Sequence, residues 1–328
     1  MKIVKVAPFD RYHFDDIHLS SIDKLFIKPK HERPTFNRSM FDEDFARIFR
    51  STSQRSCNLF CIESNDDELT QRLLGNIKTS NEFHDINETI RELIEEIARS
   101  VIWFGKVYYS LNELPEEEKI YIAPFSAIGV FSFFKAYLQL VPRRREKYRD
   151  DEERPRELRI LDKAKLMRFT IPKSIRRKLS EQNRTLAVLD KHQYDGTGLS
   201  PQATHENPNP RNDFDFLIWR DTQERALYRA TRETGWNGRK SDSSKCSDFF
   251  VCHRLIRFRR NQLILRDHIL EQLGNEFTRV GRQYNTEFHV VISPTNELTK
   301  IAELDDLEAR LSREEVSFSK VLDFCYER

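Results

Sequence analysis

The stretch FHDINETIRELIEEIARSVIWFGKVYY, Phe83–Tyr109, holds two kinds of element joined at a single glycine. Phe83, Ile86, Ile90, Leu93, Ile94, Ile97 and Val101 recur at spacings of three and four, which puts them on one side of a helix. Glu88, Glu92, Glu95, Glu96 and Arg99 take the other side. Gly105 predicts the stop, because a glycine accepts the left-handed backbone that closes many helices. Lys106 to Leu111, with Val107, Tyr108 and Tyr109, then has the β-branched and aromatic content of a strand. A strand leaning on an acidic amphipathic helix defines an α+β arrangement.

Toward the N-terminus, residues 1–38 read as an extended arm broken by Pro8, Pro29 and Pro34, with one strand near Leu25 to Lys28. Ser39 to Arg50 predicts a short helix with Phe41, Phe45, Ile48 and Phe49 on its buried face. Toward the C-terminus, Pro115 to Glu118 is a polar turn, and Lys119 to Val141 continues in β-rich pieces. Pro142 to Pro155 is almost entirely charged, which suits a surface excursion. Arg156 to Ile171 returns as a strand, and Pro172 opens a helix running toward Leu189, since its missing N–H costs nothing in a first turn. Residues 193–212 carry Gly196, Gly198, Pro201, Pro208 and Pro210 and read as a linker. Beyond it come helices at Asp213 to Arg232 and Ser247 to Tyr284, a strand at Asn285 to Ile292, a helix from Pro294 to Leu311, and a last helix with a capping box at Ser312 and Glu315. The expected organisation is an arm (1–38), an α+β domain (39–192), a linker (193–212) and a mainly helical region (213–328). The fold class is helix-rich α+β, with a small mixed or antiparallel sheet and long helices in the C-terminal half.

Composition bounds the function. Hydrophobic residues make up 38% of the chain and charged residues 33%, enough for a packed interior beneath an extensively solvated surface. Nine glycines against 24 phenylalanines argue against a glycine-rich nucleotide-binding fold. Five cysteines, Cys57, Cys61, Cys246, Cys252 and Cys325, form an odd and loosely spaced set, so a reduced, cytoplasmic protein without a disulfide framework is expected. No run of apolar residues is long enough to span a bilayer.

Catalytic signatures are missing. Cys57 and Cys61 lack a second ligand pair for zinc, and Cys252 and His253 are adjacent on a predicted helix, so they diverge. No phosphate-cradling glycine loop and no nucleophile elbow occur. Asp213, Asp215 and Asp221, or Glu117 with Lys119, could serve a metal-dependent nuclease, but capping and turn roles account for them. No cofactor, no metal and no enzymatic activity are expected.

One feature points to a partner. The net charge is only +2, yet Arg143 to Lys191 contains about seventeen basic residues against nine acidic ones, whereas Glu63 to Glu96 is acidic. Arg143, Arg144, Arg145 and Lys147, and further on Arg176, Arg177, Lys178 and Arg184, form clusters suited to nucleic-acid phosphates. Few aromatics interleave them, so a salt-sensitive contact with double-stranded DNA is expected in place of single-strand stacking. The competing reading is a solvated surface whose charges pair internally.

The helix Ile86 to Trp103, passing through Phe104-Gly105-Lys106 into Val107-Tyr108-Tyr109, resembles the wing region of tailed-phage portal proteins. Phe214 to Arg232 and Ser247 to Tyr284 look like the stem and the following wing helix of that family, and Ser293 to Phe324 like the helical end of the domain. The resemblance implies a structural ring of identical subunits around a channel for double-stranded DNA. It also implies docking to a packaging motor, capsid and tail connectors, with the basic clusters near DNA or at subunit contacts. An intracellular nucleic-acid-processing or phage-defence enzyme, and a plain protein-interaction scaffold, are the alternatives.

Overall fold

The computed structural model describes residues 2–5, 21, 23, 36–49, 58–79, 85–114, 119–134, 136–142, 144–145, 153–194, 216–238 and 246–327. Their contacts cluster into two compact units, each assembled from separated pieces of chain. The first comprises Met1–Glu32, Cys57–Thr170 and Asp267–Thr295, and the second Arg33–Ser56, Ile171–Arg266 and Asn296–Arg328. The helix-rich α+β class is the observed one, with small mixed and antiparallel sheets.

In the first unit the decisive stretch folds as its periodicity predicts. Helix α1 (Phe36–Ala46) belongs to the second unit; here α2 (Asp67–Leu74) is followed by α3 (Ile86–Phe104), which buries Ile90, Leu93, Ile94, Ile97, Ala98 and Val101. Burying each of the large aliphatic side chains stabilises the unit by about 1.5–3 kcal/mol. Gly105 ends the helix at φ 75°, its N–H donating to the Val101 carbonyl at 2.7 Å. The chain enters the strand β3 (Lys106–Leu114), which pairs antiparallel with both β4 (Lys119–Phe125) and β10 (Leu166–Thr170). Tyr109 and Phe169 meet edge to face across this sheet, 5.7 Å between ring centres.

A second sheet of this unit has the order β1, β9, β6, β5, from β1 (Lys2–Lys5), β9 (Glu157–Leu161), β6 (Ala136–Val141) and β5 (Val130–Phe133). The segment Arg156–Ile171 thus forms two strands in two different sheets, divided by a turn at Asp162–Lys165. A two-residue pair, β7 (Arg144–Arg145) with β8 (Glu153–Arg154), lies within the charged segment. The remaining pair joins β2 (Phe60–Ser64) to β11 (Val290–Pro294), antiparallel.

The second unit contains α1, α4 (Lys173–Tyr194), α5 (Phe216–Ala230), the first part of α6 (Asp248–Gly281), α7 (Ile301–Ser312) and α8 (Phe318–Glu327). Cys252, Leu255, Ile256 and Leu263 of α6 pack with Leu304, Leu307 and Leu311 of α7 and with Val321 and Cys325 of α8. Phe41 and Phe45 stack at 5.3 Å and meet Phe258 edge to face, and Trp236 closes on Phe41 at 5.5 Å. Trp236 Nε1 donates to Asp44 at 3.0 Å, so the indole is anchored at both its apolar and polar ends.

Several local expectations are corrected. The helix expected from Pro294 starts at Ile301, because Pro294 closes β11 opposite Phe60, and the N–H of Thr295 still donates to the Leu59 carbonyl. Ser312 does not cap the last helix: its hydroxyl turns back to the Glu308 carbonyl at 2.9 Å, and α8 begins after Ser317, whose Oγ lies 3.5 Å from the Lys320 N–H. The strand expected at Leu25 to Lys28 and the turn at Pro115 to Glu118 lie outside the described residues, as does the predicted linker apart from Gln193 and Tyr194, which end α4.

Candidate nucleic-acid interface

Helix α4 presents the exposed basic surface. Its inward stripe is Ile175, Leu179, Gln182, Leu186 and Asp190, all buried, at spacings of four and three. The polar members of this stripe are held by partners: Asp190 accepts from the backbone N–H of Asn37 at 3.1 Å and its side-chain amide at 2.6 Å, and Gln182 accepts from the Thr234 hydroxyl. With that face fixed, Lys173, Arg176, Arg177, Ser180 and Arg184 are exposed. Arg176, Ser180 and Arg184 lie four apart, in one line along the helix.

The electrostatics of this line are distinctive. No acidic residue stands in the first turn of α4, where backbone N–H groups carry partial positive charge and carboxylates are favoured. Lys173, Arg176 and Arg177 occupy the first turns instead, so fixed cations are added to the positive end of the helix dipole. Arg177, 85% exposed, meets Glu181 at 3.5 Å, a weak solvent-facing pair four residues on. Arg176 and Arg184 make no side-chain ion pair or hydrogen bond among the described residues.

The other predicted cations are distributed differently. Lys178 turns toward the interior and donates to Asn261 Oδ1 at 2.8 Å; burial pulls its pKa below the usual lysine range, with Glu233 opposing that shift. It supports packing of α4 and is not part of the exposed line. Arg144 and Arg145 are placed by backbone only, in β7, where Arg144 stands opposite Arg154 and Arg145 opposite Glu153. Arg143 and Lys147 lie outside the described residues. The β7–β8 pair belongs to the first unit and α4 to the second, so the two halves of the basic tract are carried by different units.

Between them, other cations of the tract are matched internally. Arg156 grips Asp23 through Nε at 2.8 Å and Nη2 at 3.1 Å, Arg159 is buried and pairs with Glu157 at 3.0 Å, and Lys165 pairs with Glu113 at 2.9 Å. Hydrogen bonds from Tyr284 and then Lys165 hold the Glu113 carboxyl below the usual range. The charge of the tract is therefore partly spent inside the first unit and left open on α4.

The arginines of α6 are structural, which their sequence position did not reveal. Arg254 donates to Asn237 Oδ1, the Trp236 carbonyl and the Thr231 hydroxyl, each at 2.6 Å, with its guanidinium over the Tyr228 ring; burial lowers its pKa to about 10. Arg259 donates to the Ile48 carbonyl at 2.5 Å and Arg266 to the Thr299 carbonyl at 3.0 Å. Arg260 bridges Asp305 and Glu308 of α7. Arg254, Arg259 and Arg266 thus supply donors to backbone carbonyls outside α6.

Carboxylates and thiols do not converge among the described residues, where no three His, Cys, Asp or Glu side chains are placed to share a metal ion. Asp221 pairs with Arg225 at 2.8 Å, while Asp213, Asp215, Glu117 and Cys57 lie outside the described residues. Cys252 points to the Phe318 carbonyl and His253 to Glu308, so the adjacent pair diverges as the helical geometry requires. No helix is long and apolar enough to cross a membrane among the described residues.

Neither a protein-family model nor a curated protein matches the sequence. Among solved structures, the chain is similar to a chain in the neck of an empty GTA particle computed with C6 symmetry. That match has a TM-score of 0.44 at 11% identity, covering 84% of this chain and 86% of that one. It is also similar to a chain in the virion of a native gene transfer agent particle, with TM-score 0.40, 10% identity and coverage of 91% and 96%. A third similarity is to a chain in the neck of a native GTA particle computed with C12 symmetry, with TM-score 0.39, 11% identity and coverage of 89% and 91%.

Proposed function

We propose that this protein is a structural, ring-forming subunit that contacts double-stranded DNA through backbone charge, in the manner of a phage portal, with capsid, motor or tail-connector proteins as its assembly partners. The observation that carries the DNA contact is the exposed line of α4: Lys173, Arg176, Arg177 and Arg184, set on a helix whose inner face is fully occupied and whose first turn lacks any acidic residue. Cations at that end of a helix oppose its dipole, so their placement does not serve stability. They serve a polyanion. Duplex phosphates supply regularly spaced negative charge that such a line neutralises without reading bases. Arg143, Arg144, Arg145 and Lys147 form a second contact of the same kind.

Anisotropy titration of a fluorescent 30-base-pair duplex at low salt tests the reading. Arg176→Ala with Arg184→Ala weakens binding by at least tenfold, for unrelated duplex sequences alike, while Arg225→Ala, whose guanidinium is held by Asp221, changes it little. Equal affinity of the double variant and the unaltered protein would refute the contact.

A further inference from the structure

Two sheets of the first unit meet over a small core of Tyr108, Val130, Leu161 and Leu166, with Phe125 and Tyr137 packed against it. Two cations border that core. In the β3–β10 register Tyr108 stands opposite Arg168 and Lys106 opposite Thr170, so Lys106 and Arg168 are diagonal neighbours on one face of the sheet. Long side chains at that separation reach one another.

Neither cation has an acidic counterpart. The Lys106 ammonium donates to the Val130 carbonyl at 2.6 Å and lies 5.5 Å from the centre of the Tyr108 ring. Arg168 Nη1 donates to the Tyr137 hydroxyl at 3.3 Å, and the Tyr108 and Tyr137 rings meet edge to face at 6.2 Å. Lys106 and Arg168 make no ion pair among the described residues. Elsewhere in this unit, cations drawn away from water meet carboxylates: Arg156 holds Asp23, Arg159 holds Glu157 and Arg279 holds Glu276. A carbonyl dipole and a ring face are weaker counterparts to a half-buried ammonium than a carboxylate is. The cost shows in the acidity of the group: burial first, and then the charge of Arg168, pull the Lys106 pKa below the usual lysine range.

The cluster is open to solutes. Arg168 is exposed, and Lys106 and Tyr137 are partly so. Tyr137 accepts from Arg168 and gives its own proton to no described residue, so a third donor stands beside the two cations.

We infer that Lys106, Arg168 and the Tyr137 hydroxyl form a binding site for a phosphate group. The ammonium and the guanidinium supply charged hydrogen bonds to its oxygens, the hydroxyl supplies a neutral one, and the anion offsets the repulsion between the two cations. The site belongs to the first unit and the α4 line to the second, so the inference does not rest on the duplex contact proposed for α4. A free phosphorylated small molecule and a phosphate of the nucleic-acid backbone carry the same group, and competition distinguishes them.

Equilibrium dialysis of the full chain against radiolabelled inorganic phosphate at fixed ionic strength tests it. The expected result is saturable binding that Lys106→Met and Arg168→Gln each weaken about tenfold or more, and Tyr137→Phe by less, while Lys163→Ala, which removes an exposed lysine of the same unit, leaves it unchanged. Circular dichroism melts confirm that the variants fold; Arg168 lies at the surface, so Arg168→Gln keeps the test alive if Lys106→Met disturbs the sheet. Absence of saturable phosphate binding, or equal binding by the unaltered protein, Lys106→Met and Arg168→Gln, overturns the inference. The Arg168-dependent phosphate is then challenged with excess 30-base-pair duplex: displacement supports the site as one for backbone phosphate, and retention supports it as one for a small phosphorylated molecule.

Discussion

Two glycines with the same backbone conformation show how local surroundings set the cost of a single atom. Gly105 and Gly129 have φ of 75° and 72°. A Cβ on Gly105 meets nothing within 4 Å, whereas one on Gly129 comes within 2.3 Å of the Leu140 carbonyl oxygen across the β5–β6 hairpin. Gly105→Ala is expected to cost about 1 kcal/mol, the left-handed penalty alone. Gly129→Ala adds a steric clash and is expected to cost on the order of 3 kcal/mol. Urea melts of the two variants check the difference, and equal midpoints would contradict it. Arg254 is the corresponding polar case: Arg254→Met removes its charged hydrogen bonds to the Trp236 and Thr231 carbonyls and to Asn237, while the Thr231 hydroxyl and the Gly235 N–H still serve those carbonyls, and is expected to cost about 1.5–3 kcal/mol in the same melts. Glu113 sets a pH dependence. Its folded pKa is depressed, so its contribution is present above the unfolded glutamate value of ~4.3 and is lost as pH falls through the folded value. Glu113→Gln should flatten the acid limb of the stability–pH curve by lowering the neutral plateau slightly, with the smaller change below the folded value, where the contribution is already lost; the effect stays small because the group is largely solvent-screened.

At the scale of elements, legibility followed locality. Helix α3 and its glycine stop were readable because periodicity and cap lie in one window, and α4 and α6 were readable for the same reason. The β2 strand was not: Phe60–Ser64 pairs with Val290–Pro294, far along the chain, and its short alternating pattern acquires meaning only when that partner is present. The parallel pairing of Lys2–Lys5 with Glu157–Ile160 was hidden likewise. Of the candidate site, the cluster at Arg176, Arg177 and Arg184 was visible as composition, but the inward turn of Lys178 depends on Asn261, a residue of another helix. Stability and binding should separate on α4. Arg176→Glu places a carboxylate near the positive end of the helix dipole and is expected to stabilise the fold by about 0.3–1 kcal/mol while weakening duplex binding. A melt and an anisotropy titration of that one variant check both halves, and a loss of stability would show that the cation is structural.

Across the whole molecule, cations that look alike in the sequence are sorted by folding into three uses. Arg156, Arg159 and Lys165 are paired within the first unit, the α6 arginines of the second unit serve carbonyls and the Asp305–Glu308 pair, and the outer line of α4 is left open. Both units are built from separated chain segments, so their composition was not readable from any local boundary signal. The proposed polyanion contact is compatible with a net charge of only +2, because what matters for it is the unmatched local charge. The slope of log affinity against log salt concentration for a duplex counts that unmatched charge directly, since each phosphate neutralised contributes about −0.9. Replacing Arg176, Arg177 and Arg184 together by alanine should make the slope shallower by roughly 2 to 3, whereas the same slope in the triple variant and the unaltered protein would contradict the account.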